Sequence, residues 1–214
     1  MKRAWIFVNG SMGRADRLKM QIMKGDFLVA VDAGYRHLKP IGLYPDLVIG
    51  DLDSLAEADQ QEIDRLKIPV QRYPAAKDET DLELAINAVL ERGCEVIRIA
   101  CALGGRFDQS LGNLALLLRP DLADLDVRLE DGETEAWLIR SEAEVVGRAG
   151  DTISLLPVGG PVDGVETGGL LYPLHSETLW PHRTRGISNE MQAGQARIVI
   201  RNGTLLCVHI RKSY

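Results

Sequence analysis

Through about residue 122, short apolar runs alternate with longer stretches of helical periodicity. Residues 4–8, 27–31, 47–49 and 96–103 are apolar runs, the last interrupted by Arg98, bounded by turn residues, the pattern of buried strands. Between them, Ser54 followed by Glu57 and Thr80 followed by Glu83 read as capping boxes. They would open helices running to Lys67 and Arg92, the second with Leu82, Ala85, Ile86, Val89 and Leu90 on one face. Asp108 is a further candidate cap, for a helix carrying Leu111, Leu114, Ala115 and Leu118. This alternation predicts a layered α/β domain with a mainly parallel sheet over residues 1–124. From about Leu125 the texture changes to short strand-like runs at 127–129, 135–139, 152–156, 162–166, 198–201 and 205–210. Asn202-Gly203 between the last two is a hairpin signal, so residues 125–214 are expected to form an all-β sandwich.

Each strand-like run of the first half ends in polar or small residues. The turns are Asn9-Gly10-Ser11-Met12-Gly13, Asp32-Ala33-Gly34, Gly50-Asp51-Leu52-Asp53-Ser54 and Gly104-Gly105-Arg106-Phe107-Asp108. In a parallel sheet all four would share the carboxyl rim, where open α/β sheets hold their ligands. Asp51 and Asp53 are two residues apart and can converge on one hard cation; Mg²⁺ often binds one or two carboxylates plus substrate phosphates, so a nucleotide is the economical partner. Ordinary turn chemistry explains an isolated Asp-x-Asp equally well. Lys77-Asp78-Glu79-Thr80-Asp81 places a cation and acids at a helix start, a setting for phosphate and metal together, although Ser54, Thr80 and Asp81 also fit plain capping roles. Gly104-Gly105-Arg106 adds amides that can approach an anion and a guanidinium that can bind it bidentately. There is no Walker A sequence, and Gly10-Ser11-Met12-Gly13 lacks the full dinucleotide fingerprint.

Composition narrows the partners. With 25 Lys and Arg against 31 Asp and Glu the formal charge is −6, which argues against nonspecific nucleic-acid binding and for a small molecule. Residues 4–8 are too few for a signal-peptide core or a membrane span, so the expectation is a cytoplasmic protein with no membrane partner. Cys94, Cys101 and Cys207 form no Cys-x-x-Cys pair and sit among apolar neighbours, as buried reduced thiols do.

Taken in order, these pieces resemble the thiamine pyrophosphokinase family, over nearly the whole length. The matching segments are Asp32-Ala33-Gly34, Pro45-Asp46 with residues 50–54, residues 77–81, residues 104–108, residues 168–174 and Gly186-Ile187-Ser188-Asn189-Glu190. The resemblance implies an α/β catalytic domain followed by a β-sandwich, a homodimer with active sites at the subunit interface, and Mg²⁺-dependent transfer of pyrophosphate from ATP to thiamine. It implies Asp51, Asp53 and Asp81 as Mg²⁺ ligands, and with Arg106 as the catalytic set. Asp32, Asp46, Ser54, Lys77, Asp78, Thr80, Asp108 and Gln109 would line the nucleotide, and Ser188 and Asn189 the thiamine. Gln109 stands where many bacterial members resemble a histidine, and glutamine cannot transfer a proton as an imidazole does. Two rivals stay open on the residues alone. One is a metal-dependent glycosyltransferase using Asp51-Leu52-Asp53, and the other a noncatalytic nucleotide-binding regulator.

Overall fold

The computed structural model describes residues 1–74 and 76–212, which divide into two units, 1–132 and 133–212. The first holds six strands, β1 (Lys2–Phe7), β2 (Phe27–Val31), β3 (Leu47–Gly50), β4 (Val70–Arg72), β5 (Cys94–Ala100) and β6 (Asp126–Glu130). Five helices accompany them, α1 (Ala15–Gln21), α2 (Tyr35–Leu38), α3 (Glu57–Leu66), α4 (Asp81–Glu91) and α5 (Phe107–Leu116). The strands lie in the order β6-β5-β1-β2-β3-β4, and every pair among them is parallel. Their apolar runs are near-continuous because both faces are covered. Trp5 and Phe7, Leu28 and Ala30, and Val48 point into one core with Leu18, Tyr35, Leu38 and Ile63. The alternating positions Ala4, Ile6, Val29 and Ile49 are buried as well, and α4 lies against β1, β2, β3 and β5. Chain order reverses between β1 and β5, which puts the topological switch point there.

The second unit holds β7 (Thr134–Ile139), β8 (Glu142–Val146), β9 (Thr152–Pro157), β10 (Val162–Gly168), β11 (Glu177–Leu179), β12 (Asn189–Glu190), β13 (Gln195–Val199) and β14 (Leu205–Ile210). They form two antiparallel sheets, β12-β9-β14-β7 and β11-β10-β13-β8. Trp137, Ile153, Leu155 and Leu205 of one sheet share a core with Val145, Val165, Leu179 and Ile198 of the other, which makes the unit a sandwich. β14 lies centrally, paired along its length with β7 and β9. Its His209 is fully buried, with Nδ1 3.1 Å from Glu135 and Nε2 3.0 Å from Asp151.

Several local expectations change. Asn202-Gly203 does not close a hairpin: β13 pairs with β8 and β10, so the turn carries the chain from one sheet to the other. The segment 127–129 belongs to the parallel sheet through its pairing with β5, so the observed division falls after Gly132 rather than after residue 124. The strand expected over 96–103 ends at Ala100, where Cys101 turns to φ 57°. Helix α3 starts after Ala56 with no side-chain cap, whereas Thr80 Oγ1 caps α4 by accepting from Glu83 N at 3.2 Å. Helix α5 starts after Arg106, and the face expected to be buried is not: Leu111 and Leu118 are 51% and 45% exposed, while Asn113 and Leu117 point inward. All three cysteines are free and buried. Among the described residues no helix is long and apolar enough to cross a membrane.

Candidate active site

The carboxyl rim of the parallel sheet carries a cavity of about 730 Å³, within the range of small-molecule sites. The turns after β1, β2, β3 and β5 all reach it, joined by the start of α4. At the switch point the turn after β1 is laced to the turn after β5: Gly10 N donates to Cys101 O at 2.8 Å and Ser11 N to Leu103 O at 2.7 Å. A Cβ on Gly10 would stand 2.3 Å from Cys101 O and 2.4 Å from Leu103 O, so only glycine permits this approach. On the other side His37 Nε2 lies 3.0 Å from Gly10 O.

Four acids meet on one wall. Asp32 follows β2 in a left-handed conformation, φ 45°, with Oδ1 accepting from Leu52 N at 3.3 Å. Its carboxyl fills the space that a Cβ on Gly50 would occupy, only 1.7 Å from Oδ1. Burial, then the charges of Asp81 and Asp51, push its pKa up to about 7. Asp51 Oδ1 accepts from Asp53 N at 3.1 Å, a local turn bond, and hydrogen bonding and charge from Asp51 raise the pKa of Asp53. Asp81 opens α4, with Oδ1 2.9 Å from Lys77 Nζ. That oxygen is buried without a well-aligned hydrogen bond; it has an ion-pair neighbour by distance and an unfilled lone pair by angle. Burial would lower the Lys77 pKa, but Asp81, Asp51 and Asp32 together raise it.

Crowded carboxylates, a hard oxygen donor set and an unsatisfied buried oxygen suit a divalent cation. Asp51, Asp53 and Asp81 are gathered at one rim, yet among the described residues no three Asp, Glu, His or Cys side chains already stand in a metal-holding arrangement. Asp51 holds the turn bond from Asp53 N, and Asp81 is paired with Lys77.

The other expected residues separate into three groups. Ser54, Thr80, Arg106 and Gln109 line the cavity. Arg106 is exposed and paired bidentately with Asp108, which holds the Asp108 pKa low. Asp108 and Asp78 are not among the lining residues, and Asp46 is a local brace, with Oδ2 accepting from Leu28 N at 2.8 Å. Ser188 and Asn189 lie in the second unit. Asn189 lines a cavity of about 330 Å³ with Tyr172, Leu174, Arg185 and Ile187, but its amide is spent on the main chain. Oδ1 accepts from Tyr172 N at 3.0 Å and Nδ2 donates to Tyr172 O at 2.7 Å. Ser188 is exposed, at φ 57°, its N–H donating to Ser154 Oγ. One polar lining residue had no motif to flag it, Asn113. Asn113 Nδ2 donates to Ala102 O at 2.7 Å and so ties α5 to the turn after β5. The signal available for it was a lone amide four residues before a buried leucine, Leu117.

Comparison with known proteins agrees with both units. Residues 18–129 match the profile described as thiamin pyrophosphokinase, catalytic domain, and residues 138–205 that described as thiamin pyrophosphokinase, vitamin B1 binding domain. The chain is 28% identical to the thiamine pyrophosphokinase of Bacillus subtilis (strain 168) over 182 residues, 84% of this chain and 85% of the relative. A crystal structure of the Bacillus subtilis enzyme superposes with a TM-score of 0.89 at 26% identity, covering 99% of this chain and 100% of that one. Thiamin pyrophosphokinase from Candida albicans shares the fold, with a TM-score of 0.82 at 15% identity over 98% of this chain and 89% of that one.

Proposed function

The chain belongs to the thiamine pyrophosphokinase family and makes thiamine diphosphate from thiamine and ATP, and from that premise we propose how its own residues divide the work. The oxygen of the thiamine hydroxyethyl group attacks the β-phosphorus in line, the bond from that phosphorus to the α-phosphate oxygen breaks so that AMP leaves, and the hydroxyl proton passes late to a nearby carboxylate. The protein supplies position and charge rather than covalent chemistry. The supporting observation is the convergence of four strand-end turns and the α4 start on one cavity carrying Asp32, Asp51, Asp53, Asp81 and Arg106.

In this reading Mg²⁺ is held by Asp51, Asp53 and Asp81 and, when bound, neutralises phosphate charge. Arg106 exchanges its exposed partner Asp108 for phosphate oxygens, a trade between two bidentate acceptors. The amides of Gly104 and Gly105, at φ 86° and 71°, face the same anion. Asn113 keeps that turn in place. In the second unit the exposed Tyr172 and Ile187 supply apolar walls for the thiamine rings, with Ser188 as a polar contact and Asn189 as the brace of Tyr172.

We extend the reading to a homodimer. Phe107, Leu111 and Leu118 form an apolar stripe on and just beyond α5, with exposures of 77%, 51% and 45%, and a second copy of the chain would cover it.

The test of the reaction is direct. Purified protein with Mg²⁺, ATP and thiamine yields thiamine diphosphate and AMP in equal amounts. Asp53→Ala lowers the rate by about 100-fold or more, as loss of a metal ligand does. Near-normal Mg²⁺-dependent turnover in that variant would remove Asp53 from the metal site.

A further inference from the structure

Two cations compete for one oxygen. Asp81 Oδ1 faces the ammonium of Lys77 at 2.9 Å, and the same carboxylate is the proposed metal ligand at the start of α4. The pair is not an ordinary solvated surface contact, since the side chains are only 11% and 22% exposed. Nor is it a pair along one helix face, because Lys77 precedes the helix. Lys77 is anchored from behind by donating to Pro74 O at 3.1 Å. It neutralises the charge on Asp81, whose Oδ1 is buried with that ammonium as its ion-pair neighbour.

We propose that Lys77 is a specificity-determining residue: it withholds Asp81 from a free divalent cation and yields it to a cation that arrives with a nucleotide. The proposal rests on the reading of Asp81 as a metal ligand. A dication approaching Asp81 alone meets a positive charge at ion-pair range and must displace it into solvent. A polyphosphate changes that balance, because it offers the ammonium a charge-assisted acceptor at the moment the carboxylate is released. Metal and nucleotide therefore bind with positive coupling, and each raises the affinity for the other by the same factor. Asp51 and Asp32 add to the field on Lys77, so it stays in place until phosphate oxygens compete for it.

The experiment is a titration of the full chain with Mn²⁺, read by electron paramagnetic resonance, with and without a non-hydrolysable ATP analogue. Wild type binds Mn²⁺ weakly alone and at least about tenfold more tightly with the analogue. In Lys77→Gln, Mn²⁺ alone binds at least about tenfold more tightly than in wild type, and the coupling to nucleotide shrinks. Lys77→Arg retains the wild-type pattern. Unchanged Mn²⁺ affinity and coupling in Lys77→Gln would overturn the proposal, and so would absence of coupling in wild type, a measurement that needs no variant to fold. Asp81→Asn separates the two levels of the argument. If it leaves Mn²⁺ binding intact, the metal assignment fails and the role of Lys77 falls with it; if it abolishes binding while Lys77→Gln changes nothing, only the role of Lys77 fails.

Discussion

Gly50→Ala places a methyl group where the Asp32 carboxyl already sits. The new Cβ falls 1.7 Å from Asp32 Oδ1 and 2.4 Å from its Cγ, so either the end of β3 moves or the carboxyl leaves. The backbone adds its own penalty. Gly50 has φ 144°, a region in which a residue with a Cβ costs about 1–3 kcal/mol. Eviction of Asp32 also breaks its bond from Leu52 N, worth about 1 kcal/mol. One effect runs the other way, because burial and neighbouring acids penalise the ionised Asp32, and eviction returns part of that penalty. The net expectation is a loss of about 2–3 kcal/mol. Urea unfolding in metal-free buffer would measure it, with Trp137 and Trp180 replaced by Phe so that the fully buried Trp5 reports the first unit alone. The same substitution is then repeated in an Asp32→Gly background, which removes the carboxyl and accepts φ 45°. There only the backbone cost remains, so the penalty shrinks by about 1 kcal/mol or more. Equal penalties in the two backgrounds, within about 0.5 kcal/mol, would refute the steric argument.

Two other predictions concern distant parts of the first unit. Leu111→Glu puts a charge in the middle of the exposed α5 stripe and converts the proposed dimer to a monomer by light scattering, with circular dichroism unchanged; an unaltered mass would exclude α5 as the interface. Burial alone would raise the pKa of Asp26, but Arg3, the Met23 N–H and the Trp5 Nε1–H hold it below the ordinary value. A carboxylate with a depressed folded pKa contributes stability that is present above its unfolded value, near 3.9, and lost as pH falls through the folded one. Asp26→Asn should therefore lower the urea midpoint at pH 7, with the gap to wild type narrowing as pH falls below about 3.9, whereas a gap that does not change with pH would exclude Asp26 from acid unfolding.

Much of the first unit was legible because two signals coincide at each strand end. An apolar run gives the strand, and the glycine or aspartate after it gives the turn, so residues 9–13, 32–34, 50–54 and 104–108 could be placed on one rim before any coordinates. What escaped depends on long-range pairing. Asn202-Gly203 makes the same local turn whether the next strand returns beside the last or crosses to the facing sheet, and only β14 settling between β7 and β9 decides. The segment 127–129 looks like any short strand, and its pairing with β5 assigns it to the parallel sheet. Ser54 has the spacing of a cap, but Leu52 at φ 66° and the Asp51 turn bond delay the helix past Ala56. The periodicity of α5 correctly marked an apolar face without saying that the chain's own core lies on the opposite side, toward Asn113 and Leu117.

The position of β14 also sets an order of assembly during synthesis. The parallel sheet is complete once Glu130 has been made, and it can close while the rest of the chain is still on the ribosome. The sandwich has no such freedom. Among the described residues, β7 and β9 are bridged only through residues 205–210, the last strand of the unit to be made, and His209 joins Glu135 to Asp151 from that same strand. Until those residues emerge, two apolar strands carry open edges, the condition in which nascent chains are most prone to pair with one another. A translational stall short of residue 205 would thus yield a folded first unit tethered to an aggregation-prone tail.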